Sequence, residues 1–412
     1  MMKFNPQTFV EALPSLDLST NVPSEEFSER VNRVKQELAK KKIDIAFTYG
    51  DEHRPGDTGW LTGYDPQIES TAVVIGPKKA LLLGGPEGQY YAEEMMRVGE
   101  YRNLVEYKIP EEDYPGFEFT TLKDVFKEAY GSEIKRIGLL TTKENIPHHI
   151  MNILNDTGAE IVDISDWLLQ AKYYKSESEL KVMRIAARIT TYAMEAMIRA
   201  TEPGIRELEV AACGDYVLKY MGADRYGVDT IVASGERAHT VLGRASNKVI
   251  KEGELVLLTI SARYEGLTSC LGRTVVAGHP NDDQKEFFQH TAKAYTLCVD
   301  KLGYGKPARE VDRTARNYLK KLGVEPMYSV VHNIGWTEAM EGMGAATQYS
   351  EYNFPKSIAL QLDIGIFGKI YRGISAKQMG FRLEDPFCIN HEGKAEKMTI
   401  LPIQVQNMVS NI

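Results

Sequence analysis

The sequence predicts two domains, an α/β domain over residues 1–170 and an α+β domain over residues 171–412. Three observations predict this. A chain of 412 residues exceeds what one ordinary core holds. Strand and helix patterns alternate through the first part, over residues 26–166. Long helical patterns and a run of strands fill the second part.

The elements follow in order. Residues 26–46 read as a helix running into a strand: Val31, Val34, Leu38 and Ala39 share one helical face, and the apolar run IDIAF comes next. Trp60 to Tyr64 lead into TAVVIGPKKALLLGG, two β-rich runs around a Gly-Pro-Lys-Lys turn, which predicts a hairpin. IKRIGLL and AEIVDIS are further strands, with the helix-like HHIMNILNDTG between them. A boundary falls near 166–178. Ser176 and Glu179 have capping-box spacing, and Leu180, Met183, Ala187, Met194 and Ile198 continue a long helix that Glu-Pro-Gly stops at 202–204. A second helix spans about Arg206 to Tyr220. The strands DTIVAS, ELVLLTISARY and LTSCLGRTVVAG follow, then helices over roughly 283–302 and 308–322. SIALQLDIGIFG, FRLEDPFCIN and MTILPIQ return to strands.

Composition narrows the function. A chain with 43% hydrophobic and 26% charged residues fits a soluble globular protein. The net charge of −8, with no Lys/Arg stripe, argues against nucleic acid or an anionic membrane as partner. The start MMKFNPQTFVEALPS does not read as a secretory leader, and no apolar run reaches the length of a membrane span. Four widely spaced cysteines (Cys213, Cys270, Cys298, Cys388) without a CxxC pair fit reduced thiols in the cytoplasm.

Five segments carry a resemblance. They are KYYKSESELKVMRIAARIT, TEPGIRELEVAA, DTIVASGERAH, GELVLLTISARYEGLTSCLGRTVVAG and FRLEDPFCIN. In this order the chain resembles the creatinase/aminopeptidase P/prolidase superfamily, and the match covers most of its length. The resemblance implies a "pita-bread" fold for the C-terminal domain, a creatinase/prolidase-like α/β domain before it, and a homodimer.

In the peptidase members of that superfamily two Asp, one His and two Glu hold two divalent ions, which can share a hydroxide. The resemblance places the first aspartate at Thr259 and the second, eleven residues on, at Cys270. A turn at Glu265-Gly266 would bring the two strands together. The histidine falls on His332, the first glutamate on Asp363 and the second on Glu384. Thr259 is a poor ligand, so no two-ion site is expected. The preferred reading is that no metal binds, as in the creatinase branch. Glu384 and Asp363 then grip a cationic or zwitterionic small molecule, and histidine moves the proton. The alternative is one divalent ion, Zn or Fe, held by Cys270, His332, Asp363 and Glu384. Against a site role, Cys270 and Thr259 also read as ordinary strand residues. Glu384 and Asp363 stand in largely apolar runs where a carboxylate needs a partner.

His239, after SGER, is a further catalytic candidate, although simple counting puts the superfamily's histidine at Leu242. That superfamily's later histidine counts to Ala339, which leaves its role vacant. Arg273, Arg382 and Trp336 are candidates for substrate binding. So are His53 and Arg54, which could reach a partner subunit's pocket from the loop DEHRPGDTG. The resulting expectation is a hydrolase acting on a C–N bond of a small amidino, amide or imino substrate without the usual dinuclear centre. The alternatives are an Xaa-Pro dipeptidase or aminopeptidase using one ion, and an inactive peptide- or protein-binding module.

Overall fold

The computed structural model describes residues 3–337 and 344–409. The chain divides into two compact units, Val22–Lys172 and a second formed by the residues up to Asn21 together with those from Tyr173 onward. The opening segment thus belongs with the later unit, not with the α/β domain where the sequence reading put it. Its helix α1 (Pro6–Glu11) is capped by Asn5 Oδ1, which accepts from the Gln7 and Thr8 N–H groups. Specific bonds tie the segment down: the Lys3 N–H donates to Glu202, and the Leu18 carbonyl accepts from the Tyr264 hydroxyl at 2.7 Å.

The Val22–Lys172 unit runs α2 (Ser24–Lys41), β1 (Ile45–Gly50), α3 (Gly56–Thr62), β2 (Thr71–Ile75), β3 (Ala80–Gly84), α4 (Gln89–Met95), β4 (Glu100–Asn103), α5 (Leu122–Tyr130), β5 (Arg136–Leu139), α6 (His148–Asp156) and β6 (Glu160–Asp163). Helix α7 (Ser165–Tyr173) closes it. The apolar stripe of α2 is buried through Phe27, Val31, Val34 and Leu38. β2 and β3 form the antiparallel hairpin, within a sheet of order β4-β3-β2-β1-β5-β6. Strands β5 and β6 run parallel to β1, as β-α-β connections require.

The second unit continues with α8 (Glu177–Ala200), α9 (Glu207–Tyr220), β7 (Arg225–Tyr226), β8 (Ile231–Ser234), β9 (Leu255–Tyr264), β10 (Leu267–Val276), α10 (Asp282–Val299), α11 (Arg309–Leu319), β11 (Val331–Asn333), β12 (Ile358–Phe367), β13 (Gly380–Ile389) and β14 (Ala395–Lys397). The Ser176–Glu179 capping box opens α8 with both reciprocal bonds made. An antiparallel sheet of order β11-β12-β13-β10-β9-β7 forms its body, with β14 on β13 and β8 on β9. The β9–β10 turn places Glu265 and Gly266 at φ 49° and 77°, the positive pair a two-residue hairpin of this twist requires.

Alternation along β12 and β13 decides what faces the site. Leu360, Leu362, Ile364 and Ile366 enter a core with Phe381, Leu383, Phe387, Phe287 and Tyr295. Asp363, Arg382 and Glu384 point to the opposite face. Among the described residues, no helix is long and apolar enough to cross a membrane.

Candidate active site

Strand register builds the site. Thr259 pairs with Gly272, Gly272 with Glu384, and Glu384 with Asp363, so these residues form one transverse row across β9, β10, β13 and β12. Residues in such a row share a face and stand about 4.8 Å apart from strand to strand. Cys270 lies two residues before Gly272 on the same face. His332 pairs with Gln361, two residues before Asp363, and so joins that face from β11.

The side chains converge. His332, Asp363 and Glu384 each offer a ligand atom, and these atoms all lie within 4.8 Å of one another. His332 Nε2 is 3.6 Å from Glu384 Oε1. Its Nδ1 lies 3.2 Å from the Asn333 carbonyl, which can only accept, so Nδ1 carries a proton and Nε2 faces Glu384. The Cys270 thiol points at Glu384 Oε2 from 3.6 Å but stands outside the three-residue group.

Beside the trio lies a fixed cation. Arg382 donates from Nε and Nη2 to the Tyr328 oxygen at 3.2 and 2.9 Å, and from Nη1 to Thr259 Oγ1 at 3.1 Å. Its Nε is 3.5 Å from Asp363 Oδ1. Tyr328 in turn donates to Asp363 Oδ2 at 2.8 Å. Burial pushes the Tyr328 phenol far above its ordinary value, and the Asp363 charge adds to this, so it remains a donor. Burial also raises the Asp363 carboxyl, and the nearby Glu384 charge acts the same way against the pull of Arg382. For Glu384 burial is outweighed by the His332 hydrogen bond and the charge of Arg382, which hold its carboxyl below the usual range. Burial disfavours the His332 imidazolium, yet the bond to Glu384 and the two carboxylate charges lift it above its ordinary value.

This donor set fits a cation. Asp363 is 3% exposed and its buried Oδ1 has no hydrogen-bond partner. A buried carboxylate oxygen left in that state is costly unless something else takes its lone pair. One imidazole nitrogen, two carboxylates and an adjacent thiol suit a single borderline ion such as Zn²⁺ or Fe²⁺.

Comparison with known proteins points to a metallopeptidase family. Residues 181–390 match the model of metallopeptidase family M24. The chain is 31% identical over 373 residues to an Xaa-Pro dipeptidase of Pyrococcus furiosus, covering 90% of this chain and 97% of that one. It is 29% identical over 317 residues to an Xaa-Pro dipeptidase of Pyrococcus horikoshii, covering 76% and 84%. The crystal structure of the prolidase from Pyrococcus horikoshii superposes with a TM-score of 0.75 at 26% identity, over 91% of this chain and 99% of that chain. The chain belongs to metallopeptidase family M24, within the creatinase/aminopeptidase P/prolidase superfamily, and is a hydrolase with the pita-bread fold.

These findings correct the expectation of a metal-free cavity. The family is one of metallopeptidases, and the trio His332, Asp363 and Glu384 forms a group able to hold an ion. The sequence reading judged the two altered positions and one shortened one a loss of the metal site, but the surviving ligands still converge.

The other candidates have different roles. Arg273, 1% exposed, turns away from the trio: it grips both Asp385 oxygens at 2.9 and 3.1 Å and the Gly272 and Glu384 carbonyls, each at 2.8 Å. It locks strands together and has no donor directed at a substrate. Trp336 donates its indole N–H to Glu179 at 2.5 Å and packs over Gly266, which makes it an anchor for the chain after β11, not a pocket wall. Arg382 binds Thr259, Tyr328 and Asp363, so its guanidinium serves the protein itself. His239 is exposed, with Nδ1 against the Glu236 and Lys377 carbonyls, and is not one of the trio. His53 and Arg54 belong to the Val22–Lys172 unit, where their backbone N–H groups bond Asp51 Oδ1. Ala339 lies outside the described residues. Sequence reasoning passed over Tyr328, for which spacing offers no signal, and treated Thr259 as strand filling although it accepts from Arg382.

Proposed function

We propose that this protein is a peptidase acting on short Xaa-Pro substrates with one divalent ion held by His332, Asp363 and Glu384. The observation that carries this reading is the convergence of those three side chains in a chain 31% identical to an Xaa-Pro dipeptidase. It favours cleavage of a peptide C–N bond over the amidino chemistry preferred from the sequence.

The bound ion would supply Lewis acidity, polarising the scissile carbonyl. The protein does the rest by placement. Glu384, held below the usual carboxyl range, stays ionised as ligand or proton acceptor. Tyr328 fixes one oxygen of Asp363 and leaves the other without a hydrogen bond, beside Arg382 and within reach of the trio's other ligand atoms. The Asn333 carbonyl orients His332 so that Nε2 is the available nitrogen. Cys270 stands close enough to Glu384 to join the ligand set.

The test is hydrolysis of Xaa-Pro dipeptides by chelated protein resupplied with Zn²⁺, Fe²⁺, Co²⁺ or Mn²⁺ in turn. Turnover that depends on the ion and disappears in Glu384→Ala supports the proposal. No turnover with any ion, together with retained binding of the same peptides, would replace it with a peptide-binding module.

A further inference from the structure

We infer that the Arg382 guanidinium is a built-in cation that restricts this site to one metal ion per chain. The inference rests on the one-ion reading above and adds the reason for it. Thr259, Gly272, Glu384 and Asp363 make an in-register row, and Gly272 is its gap. A Cβ on Gly272 would sit 2.4 Å from Arg382 Cδ and 2.5 Å from Cγ. The missing side chain is therefore the channel through which the arginine stem crosses from β13 toward Thr259 on β9. The guanidinium then ends between Thr259, Tyr328 and Asp363.

Charge and donors both follow from this path. The array holds two buried carboxylates, Asp363 and Glu384, against one arginine, so the carboxylates exceed the fixed cation by one charge. One divalent ion already outweighs that excess. A second ion would leave a large uncompensated positive charge in a buried space. The donors are also taken: Thr259 Oγ1 accepts from Arg382, and Asp363 Oδ2 accepts from Tyr328, which Arg382 also holds. The trio still offers Asp363 Oδ1, which accepts no hydrogen bond though Arg382 Nε stands 3.5 Å away, the two oxygens of Glu384, one of them facing the Cys270 thiol, and His332 Nε2. That suffices for one coordination sphere.

Equilibrium dialysis of the chelated full-length protein against Co²⁺, with elemental analysis, counts ions directly and needs no activity. The wild type is expected to bind one ion, and Arg382→Lys, which keeps the charge, likewise one. Arg382→Gln removes a positive charge next to Asp363 and is expected to bind its ion roughly tenfold more tightly or better. Thr259→Asp alone should stay at one ion, because Arg382 pairs with the new carboxylate. Thr259→Asp combined with Arg382→Gln should bind two. Two ions in Thr259→Asp, or an unchanged affinity in Arg382→Gln, would overturn the inference and leave the one-ion peptidase reading standing, whereas two ions in the wild type would overturn both the inference and the one-ion count. A wild type that binds no ion would remove the one-ion reading itself. Should Arg382→Gln fail to fold, the counts for wild type, Arg382→Lys and Thr259→Asp still decide.

Discussion

Asp363 and Glu384 are direct partners across the β12–β13 ladder, each 3% exposed, and their carboxylates share one face of the sheet. Opposed like charges repel at this spacing, so a cation between them relieves strain as well as being bound. Adding Zn²⁺ to chelated protein should therefore raise its thermal midpoint, by an amount equivalent to about 2.7 kcal/mol when the ion is at a hundred times its Kd. Glu384→Gln should abolish the rise. A thermal scan with and without Zn²⁺ checks both, and an unmoved midpoint in the wild type would count against the site.

Cys270 is the candidate ligand most open to direct test. Its Sγ lies 3.6 Å from Glu384 Oε2, so an ion on Glu384 comes within reach of the sulfur. The Co²⁺-loaded protein is expected to show an intense near-ultraviolet sulfur-to-metal absorption that Cys270→Ser lacks. Identical spectra for the two proteins would make Cys270 a packing residue only.

Gly272→Ala introduces a methyl where Arg382 Cδ and Cγ, and Glu384 Cβ at 3.0 Å, leave no room. We expect a loss of about 1–3 kcal/mol in urea unfolding, typical of overpacking. A displaced Arg382 should also shift Co²⁺ affinity in the direction of Arg382→Gln. A variant with wild-type stability would show that the stem adjusts freely.

Asp385→Ala provides the contrast. Asp385 is fully buried, holds Arg273 at both oxygens and accepts from Tyr295 at 2.8 Å and Thr399 at 2.6 Å. Its removal leaves Arg273 as an uncompensated buried charge, and about 3–5 kcal/mol of stability should be lost. The number of ions bound is expected to remain one. A fall in ion binding with little loss of stability would reverse the roles assigned to residues 384 and 385.

Much of this arrangement was legible in the chain. The Glu265-Gly266 turn and the alternation in LQLDIGIF and FRLED foretold which residues would share a face, because both follow from a period of two and from backbone sterics. The candidate ligand positions rest on resemblance, and His332, Asp363 and Glu384 converge. What remained hidden depends on paths that side chains take through space. Nothing in the sequence says that Arg382 crosses over Gly272 to Thr259, or that Tyr328 bridges it to Asp363. The metal-free expectation fails because the sequence shows which ligand positions changed, but not that His332, the shortened Asp363 and Glu384 still meet. The opening segment joined the later unit through long-range bonds to Glu202 and Tyr264, which local pattern cannot reveal.

Neighbours 384 and 385 on β13 do opposite jobs, one turned to the cavity and the other to the Arg273 clamp. A slip of this strand by a single position would bring Asp385 into the cavity and strand Glu384 among Tyr295 and Thr399. Chemistry and anchoring therefore reject the same misalignment independently, and the strand can be correctly threaded before any ion arrives.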